Sequence, residues 1–142
     1  MRALLDVNVL VALAWPNHVH HGRAIRWFRS ESAEGWATCP VTEVGFVRVS
    51  SNVRAIPDAR SPAQAIDLLR RMRALTGHVF WSDDVSPADV DAHAFGRLVG
   101  YRQVTDAHLL SLARRRGGTL VTLDRGILEL AADDGSGVEL IA

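Results

Sequence analysis

Asp6, Glu43, Asp106 and Asp124 are the residues whose type and placement in this sequence could do chemistry together. Asp6 follows an apolar run in Leu4-Leu5-Asp6-Val7-Asn8, and Asp124 follows another in Val121-Thr122-Leu123-Asp124. Glu43 and Asp106 fall in the first turns of expected helices, in Pro40-Val41-Thr42-Glu43 and Val104-Thr105-Asp106-Ala107. Each acid alone has an ordinary explanation, because carboxylates cap helices and are favoured at their N-termini by the macrodipole. The set is harder to dismiss. Two carboxylates ~4 Å apart repel by about 4 kcal/mol at an effective dielectric near 20, so a converged group must take up protons or a cation. Hard oxygen ligands select Mg²⁺, with Mn²⁺ as a substitute, over zinc. Such a site suits phosphodiester hydrolysis, with metal-bound water attacking in line on the phosphate. One ion or a pair would both suit four acids. Asn8, Thr105 and Thr122 stand beside these acids, placed to hydrogen-bond ligands or bound water.

Other polar residues carry weaker signals. His18, His20 and His21 invite a zinc reading, but no cysteine or acid completes a ligand set, and packing and capping at a helix start is the better expectation. His108 is two residues from Asp106 and points away from it on a helix, which argues against a general base. Asp83-Asp84 and Asp133-Asp134 read as solvated loop acids, with a ligand role left open for Asp84 because it follows a strand. Arg114-Arg115-Arg116 sits at an expected helix C-terminus, where cations are favoured anyway; contact with RNA phosphate is the alternative. Trp15, Trp27, Trp36 and Trp81 read as core or interface residues rather than base-stacking platforms.

The elements that must position the acids alternate. Strands are expected at residues 2–6, 36–39, 79–81, 119–123 and 138–141. Helices are expected at 7–14, 18–32, from Pro40 to about Ser50, from Ser61-Pro62 onward, from Ser86-Pro87 to about Phe95, and from Thr105 through Ala113. The clearest helix carries Ala65, Leu68, Leu69, Met72 and Leu75 as an apolar stripe, with Arg70, Arg71 and Arg73 outside it. Residues 52–61 read as a loop. Apolar strands separated by helices imply a parallel sheet covered on both faces. Ligands bind outside the carboxyl edge of such a sheet, where all four acids are expected.

The 142 residues suit one α/β domain, 1–142, large enough to bury a core without disulfides. The single Cys39 suits a reducing cytoplasm. No apolar run approaches the ~20 residues that would cross a bilayer, and Asp6 and Asn8 interrupt the only stretch resembling a signal peptide. Sixteen basic and sixteen acidic residues leave no net charge, so composition alone does not point to nucleic acid. Every basic residue among these is arginine.

These motifs together resemble the PIN-domain nucleases, and among them the VapC-type toxins of bacterial toxin–antitoxin pairs. Leu4 through Leu13 resembles the first motif, and His18, His21, Ala24 and Trp27 the pattern of the second helix. Thr42-Glu43 with Phe46, Arg48 and Val49 resembles the second acidic motif, Thr105-Asp106-Ala107 with Leu109 and Leu110 the third, and Leu120 through Asp124 the fourth. The likeness spans nearly the whole chain. It implies a PIN-like three-layer domain with a central parallel sheet flanked by helices, and Mg²⁺-dependent endoribonuclease activity. It also implies a homodimer and inhibition by a small VapB-like antitoxin that blocks the acidic pocket. The fourth motif departs from the pattern, since Arg125-Gly126-Ile127 stands where relatives commonly carry an aromatic residue; Asp124 is accordingly expected to bind metal directly or through water. The competing readings are an inert PIN-like module that binds RNA or protein, and an Mg²⁺-dependent phospho-acceptor domain. The second resembles families that use a lysine near the phosphate, and this chain has none. Nucleotide-binding motifs of the GxxxxGK[ST] and GxGxxG kinds are absent.

Overall fold

The computed structural model describes residues 2–89, 95–131 and 135–142. In chain order the elements are β1 (Ala3–Leu5), α1 (Val7–Ala14), α2 (His21–Glu31), β2 (Trp36–Thr38), α3 (Pro40–Ser50), α4 (Pro62–Arg73), β3 (His78–Phe80), α5 (Val104–Arg115), β4 (Thr119–Thr122) and β5 (Val138–Leu140). Short 3₁₀ turns occupy Ser32–Glu34, Phe95–Arg97, Tyr101–Gln103 and Arg125–Glu129. The strands form one sheet in the order β3-β2-β1-β4-β5, every neighbouring pair parallel.

Alternation along β1 builds two cores. Leu5 points to one face, where Val9 and Leu10 of α1, Trp27 of α2, Phe46 of α3, and Leu69 and Met72 of α4 cover the sheet. Leu4 points to the other, against Leu109, Leu110 and Leu112 of α5 with Ile127 and Leu130. The sheet is thus the middle of three layers, and its strands are apolar on both faces, as parallel strands buried under crossover helices must be. Register is fixed by the same residues: Leu4 lies between Ala37 of β2 and Leu120 of β4.

Local chemistry explains the boundaries. Asp6 caps α1, accepting from Val7 N–H at 2.7 Å. Pro40 and Pro62 open α3 and α4 at positions where a missing N–H is harmless. Ser61 and Gln64 cap α4 reciprocally. Gly117, at φ +67°, ends α5 in a conformation other residues rarely adopt. Gly45 lets α3 lie against the start of α1: a Cβ there would meet Val7 Cγ2 at 2.6 Å.

Two expectations need correction. The helix expected from His18 begins instead at His21, because His18 Nδ1 accepts the His20 N–H at 3.0 Å and holds a turn ahead of the helix. The helix expected from Ser86-Pro87 to Phe95 shows turn geometry at 87–89 and a 3₁₀ turn from Phe95, and residues 90–94 lie outside the described residues. Asp133-Asp134 also lies outside them. Among the described residues no helix is long and apolar enough to cross a membrane.

Candidate metal centre

The chain runs outward from β1 in both directions, to β2 and β3 on one side and to β4 and β5 on the other. The order of strands therefore reverses between β1 and β4. A crevice opens at the carboxyl end of such a switch point. Asp6 and Asp124 stand on its two sides, one just past each strand, and the first turn of α5 brings Asp106 over it. The three acids line one pocket of about 330 Å³ together with Val7, Asn8, Val11, His18 and Val49.

The acids sit at graded depth. Asp6 is buried at the floor, Asp106 is partly buried, and Asp124 is exposed at the mouth. Asp6 is held on both oxygens. Oδ1 accepts from Val7 N–H, while Oδ2 accepts from Thr122 Oγ1 at 2.8 Å and from Asn8 Nδ2 at 3.3 Å. Asn8 also donates to Thr122 Oγ1 and accepts from Leu123 N–H, which ties the end of β1 to the end of β4. Asp124 caps the 3₁₀ turn after β4 through Oδ1, which accepts from Gly126 N–H at 2.9 Å. Ile127, fully buried, anchors this turn in the core beside Leu130. Asp106 accepts no hydrogen bond from the described residues.

The electrostatics follow from this placement. Burial raises the Asp6 carboxyl above its ordinary value, against the hydrogen bonds from Thr122 and Val7, and the charge of Asp124 raises it further. Burial, with the charges of Asp6 and Asp124, pushes Asp106 up to about 6. Among the described residues, no arginine pairs with any of the three. The pocket is an anionic cluster lacking a counter-charge, the condition a cation relieves.

Glu43 is a correction to the expected four-acid gathering. Its side chain turns from this pocket toward β2 and α4, where Oε2 accepts from Thr38 Oγ1 at 2.6 Å and Oε1 meets Arg73 Nη1 at 3.4 Å. Thr38 gives its only proton to Glu43, so His78 donates its Nε2–H to Thr38 Oγ1 at 2.7 Å. Burial and Arg73 lower the His78 pKa, with Glu43 opposing them, so the neutral ring is the form that donates. Among the described residues no three His, Cys, Asp or Glu side chains stand close enough to grip one ion as they lie. The donor chemistry nonetheless fits a hard dication: three carboxylates, one without a hydrogen-bond partner among the described residues, and no thiol among the residues lining the pocket.

The remaining candidates fall as follows. Asn8 and Thr122 bond to Asp6, whereas Thr105 is exposed and makes no hydrogen bond among the described residues. Arg114, Arg115 and Arg116 lie at the far end of α5, about 13 Å from Asp106 at ~1.5 Å per residue. They are occupied there: Arg114 with Ser136 O, Arg115 with Asp84, Arg116 with Ser82. Asp83 is not a solvated loop acid. It is largely buried and paired with His108 Nε2, which pins the segment after β3 to α5. Asp84 is exposed, as expected. His18, expected to pack and cap near a helix start, also walls the acidic pocket; with Nδ1 engaged, a neutral ring carries its proton on Nε2. A larger groove of about 1120 Å³ adjoins the pocket at His18, but its acids are already matched, Asp58 with Asn17 and Asp67 with Arg71.

The family model described as the PIN domain matches residues 3–133. The chain belongs to the PIN-domain family. This PIN domain is 57% identical over 129 residues to Ribonuclease VapC38 of Mycobacterium tuberculosis, covering 91% of this chain and 89% of that one. It is 51% identical over 137 residues to Ribonuclease VapC39 of the same species, covering 93% and 95%. Among solved structures, Mycobacterium tuberculosis VapC20, titled a sarcin-ricin loop cleaving toxin, matches with a TM-score of 0.62 at 17% identity over 88% of this chain and 92% of that one. PAE2754 from Pyrobaculum aerophilum matches with a TM-score of 0.58 at 23% identity over 92% and 79%. Both structural likenesses speak to the fold, which is the three-layer arrangement described above.

Proposed function

We propose that this PIN domain is a metal-dependent endoribonuclease, the toxin of a type II toxin–antitoxin pair. The observation that carries the reading is the unneutralised trio of Asp6, Asp106 and Asp124 at the sheet's switch point, in a chain so close to proteins named ribonucleases. Those three side chains would hold Mg²⁺ or Mn²⁺, with Glu43 joining only by leaving Thr38 and Arg73. The bound ion would supply charge neutralisation for the phosphate and activation of water for attack on the phosphodiester.

The residues of the chain divide the remaining work. Thr122 and Val7 hold Asp6 in one rotamer, so the floor of the pocket is set before any ligand arrives. Asn8 fixes the separation of the two strand ends and hence of Asp6 from Asp124. Asp106, which accepts no hydrogen bond among the described residues, lines the pocket with its carboxylate uncommitted. Val7, Val11 and Val49 supply an apolar wall that lowers the local dielectric and strengthens every charge interaction beside it. The kinship with VapC proteins supports the further parts of this reading: an RNA substrate met in the cytoplasm, a homodimer, and a small VapB-like antitoxin that covers the acidic pocket. The test is incubation of single-stranded RNA with the wild type in Mg²⁺, in EDTA, and with Asp106→Asn. Internal cleavage in Mg²⁺ alone is expected. Cleavage that persists in EDTA, or that Asp106→Asn leaves at the wild-type rate, refutes the reading.

A further inference from the structure

The arginines of this chain are not equally free. Arg71 pairs with Asp67, Arg73 with Glu43, and Arg115 with Asp84, while Arg114 and Arg116 donate to backbone oxygens. On α2 the pattern is different. Arg23, Arg26 and Arg29 recur every third residue, and none forms an ion pair among the described residues. The Arg23 guanidinium rests against the His20 ring instead of an acid. Arg26 and Arg29 are exposed on the side of the helix opposite buried Ala24 and Trp27. Because the chain as a whole is neutral, this stripe is a local excess of positive charge.

Its position relates it to the acidic pocket. His18 walls that pocket, and α2 begins three residues later. The helix start is anchored there, since His21 Nδ1 bonds Ala12 O of α1 at 2.7 Å. From that anchor the arginines lead away from the pocket over about 9 Å, at ~1.5 Å per residue. An RNA strand with one phosphate at the acids has further phosphates on either side, and a trio of carboxylates repels them all. Guanidinium groups aligned beside the pocket offset that repulsion, and their planar forks suit phosphate oxygens.

We propose that Arg23, Arg26 and Arg29 form a track for the phosphate backbone of the RNA strand flanking the scissile bond. This rests on the ribonuclease reading and adds a place where the substrate is held without sequence preference. Each neutralised phosphate of a single strand contributes roughly 0.7 to the slope of log affinity against log salt, so three contacts contribute about 2. The experiment measures binding of a short fluorescein-labelled single-stranded RNA by anisotropy across salt, in Mg²⁺ and in the Asp106→Asn background, where the probe survives. Replacing all three arginines by Gln is expected to lower the slope by about 2, so that between roughly 50 and 200 mM salt the parent loses about 15-fold more affinity than the variant. Arg26→Gln/Arg29→Gln, which alters only exposed positions, is expected to take more than half of that change. Arg114→Gln/Arg115→Gln/Arg116→Gln is expected to leave the slope intact. An α2 variant with the parental slope, or an equal fall in the far-end variant, overturns the track while Mg²⁺-dependent cleavage by the wild type still upholds the nuclease. Failure of the parent to bind RNA, with no cleavage by the wild type, brings down both.

Discussion

Replacing Asp106 with Asn should make the metal-free protein more stable and the metal-loaded protein less so. Asp106 takes its raised pKa from burial and from Asp6 and Asp124, moving from 3.8 to about 6. At about 1.4 kcal/mol per tenfold change in the protonation equilibrium, that corresponds to about 3 kcal/mol. Solvent reaches this partly exposed carboxylate and screens its interactions, leaving about 1 kcal/mol. The sign follows from the direction of the shift. A carboxyl whose folded pKa lies above its unfolded value contributes stability that is complete below about pH 4 and is lost as pH rises through about 6. Asn does not titrate, so in EDTA the melting curves of wild type and variant should coincide near pH 4 and separate as pH rises. At pH 7.5 the variant should melt roughly 3 °C higher, for a chain of this length. Millimolar Mg²⁺ should reverse the order, because an ion bound by the native wild type stabilises it and the variant has lost a ligand. Differential scanning calorimetry at several pH values, with EDTA and with Mg²⁺, reads all of this. A variant that melts below the wild type in EDTA at pH 7.5, or a difference that ignores pH, refutes the account of the pocket as an uncompensated anionic cluster.

Two further substitutions probe the surroundings. Thr122→Val removes the hydroxyl that donates to Asp6 and accepts from Asn8 and from Asp124 N–H. It should destabilise the fold by about 1–3 kcal/mol and weaken Mg²⁺ affinity roughly 10–100-fold, read by chemical denaturation and by isothermal titration. Unchanged Mg²⁺ affinity would show that Asp6 needs no such support. Glu43→Gln should retain most of the Mg²⁺-induced rise in melting temperature that Asp106→Asn abolishes, since Glu43 lies with Thr38 and Arg73. Equal loss in the two variants would put Glu43 among the ligands.

Much of this architecture is legible in the sequence because its signals are local. The period of apolar residues, the prolines at residues 40 and 62, and the glycines after Arg116 each act on their own neighbourhood. Placing Asp6 and Asp124 at one edge needed only the rule that parallel strands share a carboxyl end. What escaped depends on partners remote in sequence. Glu43 and Asp106 both lie in the first turn of a helix, yet one turns to Arg73, thirty positions on, while the other faces the crevice. Asp83 looked solvated because nothing near it in sequence reveals His108 packing over it. His18 is the local exception, since its ring accepts from His20 N–H two residues on and holds a turn ahead of the helix. For Glu43 and Asp83 a side chain's rotamer decided the outcome, and rotamers respond to tertiary neighbours.

The central position of β1 sets the order in which the molecule can be completed. Residues 3–5 are made before every other strand of the sheet, yet one of their two flanking strands begins only at Thr119. As the polypeptide leaves the ribosome, β1 must wait for β2, β3 and all the helices before β4 until its second neighbour arrives, a separation that makes such pairings slow. Asp124 and Thr122 arrive with that neighbour. A nascent or prematurely terminated product that stops short of β4 therefore carries Asp6 without its hydroxyl support and without the facing carboxylate, and the acidic pocket cannot exist before β4 does.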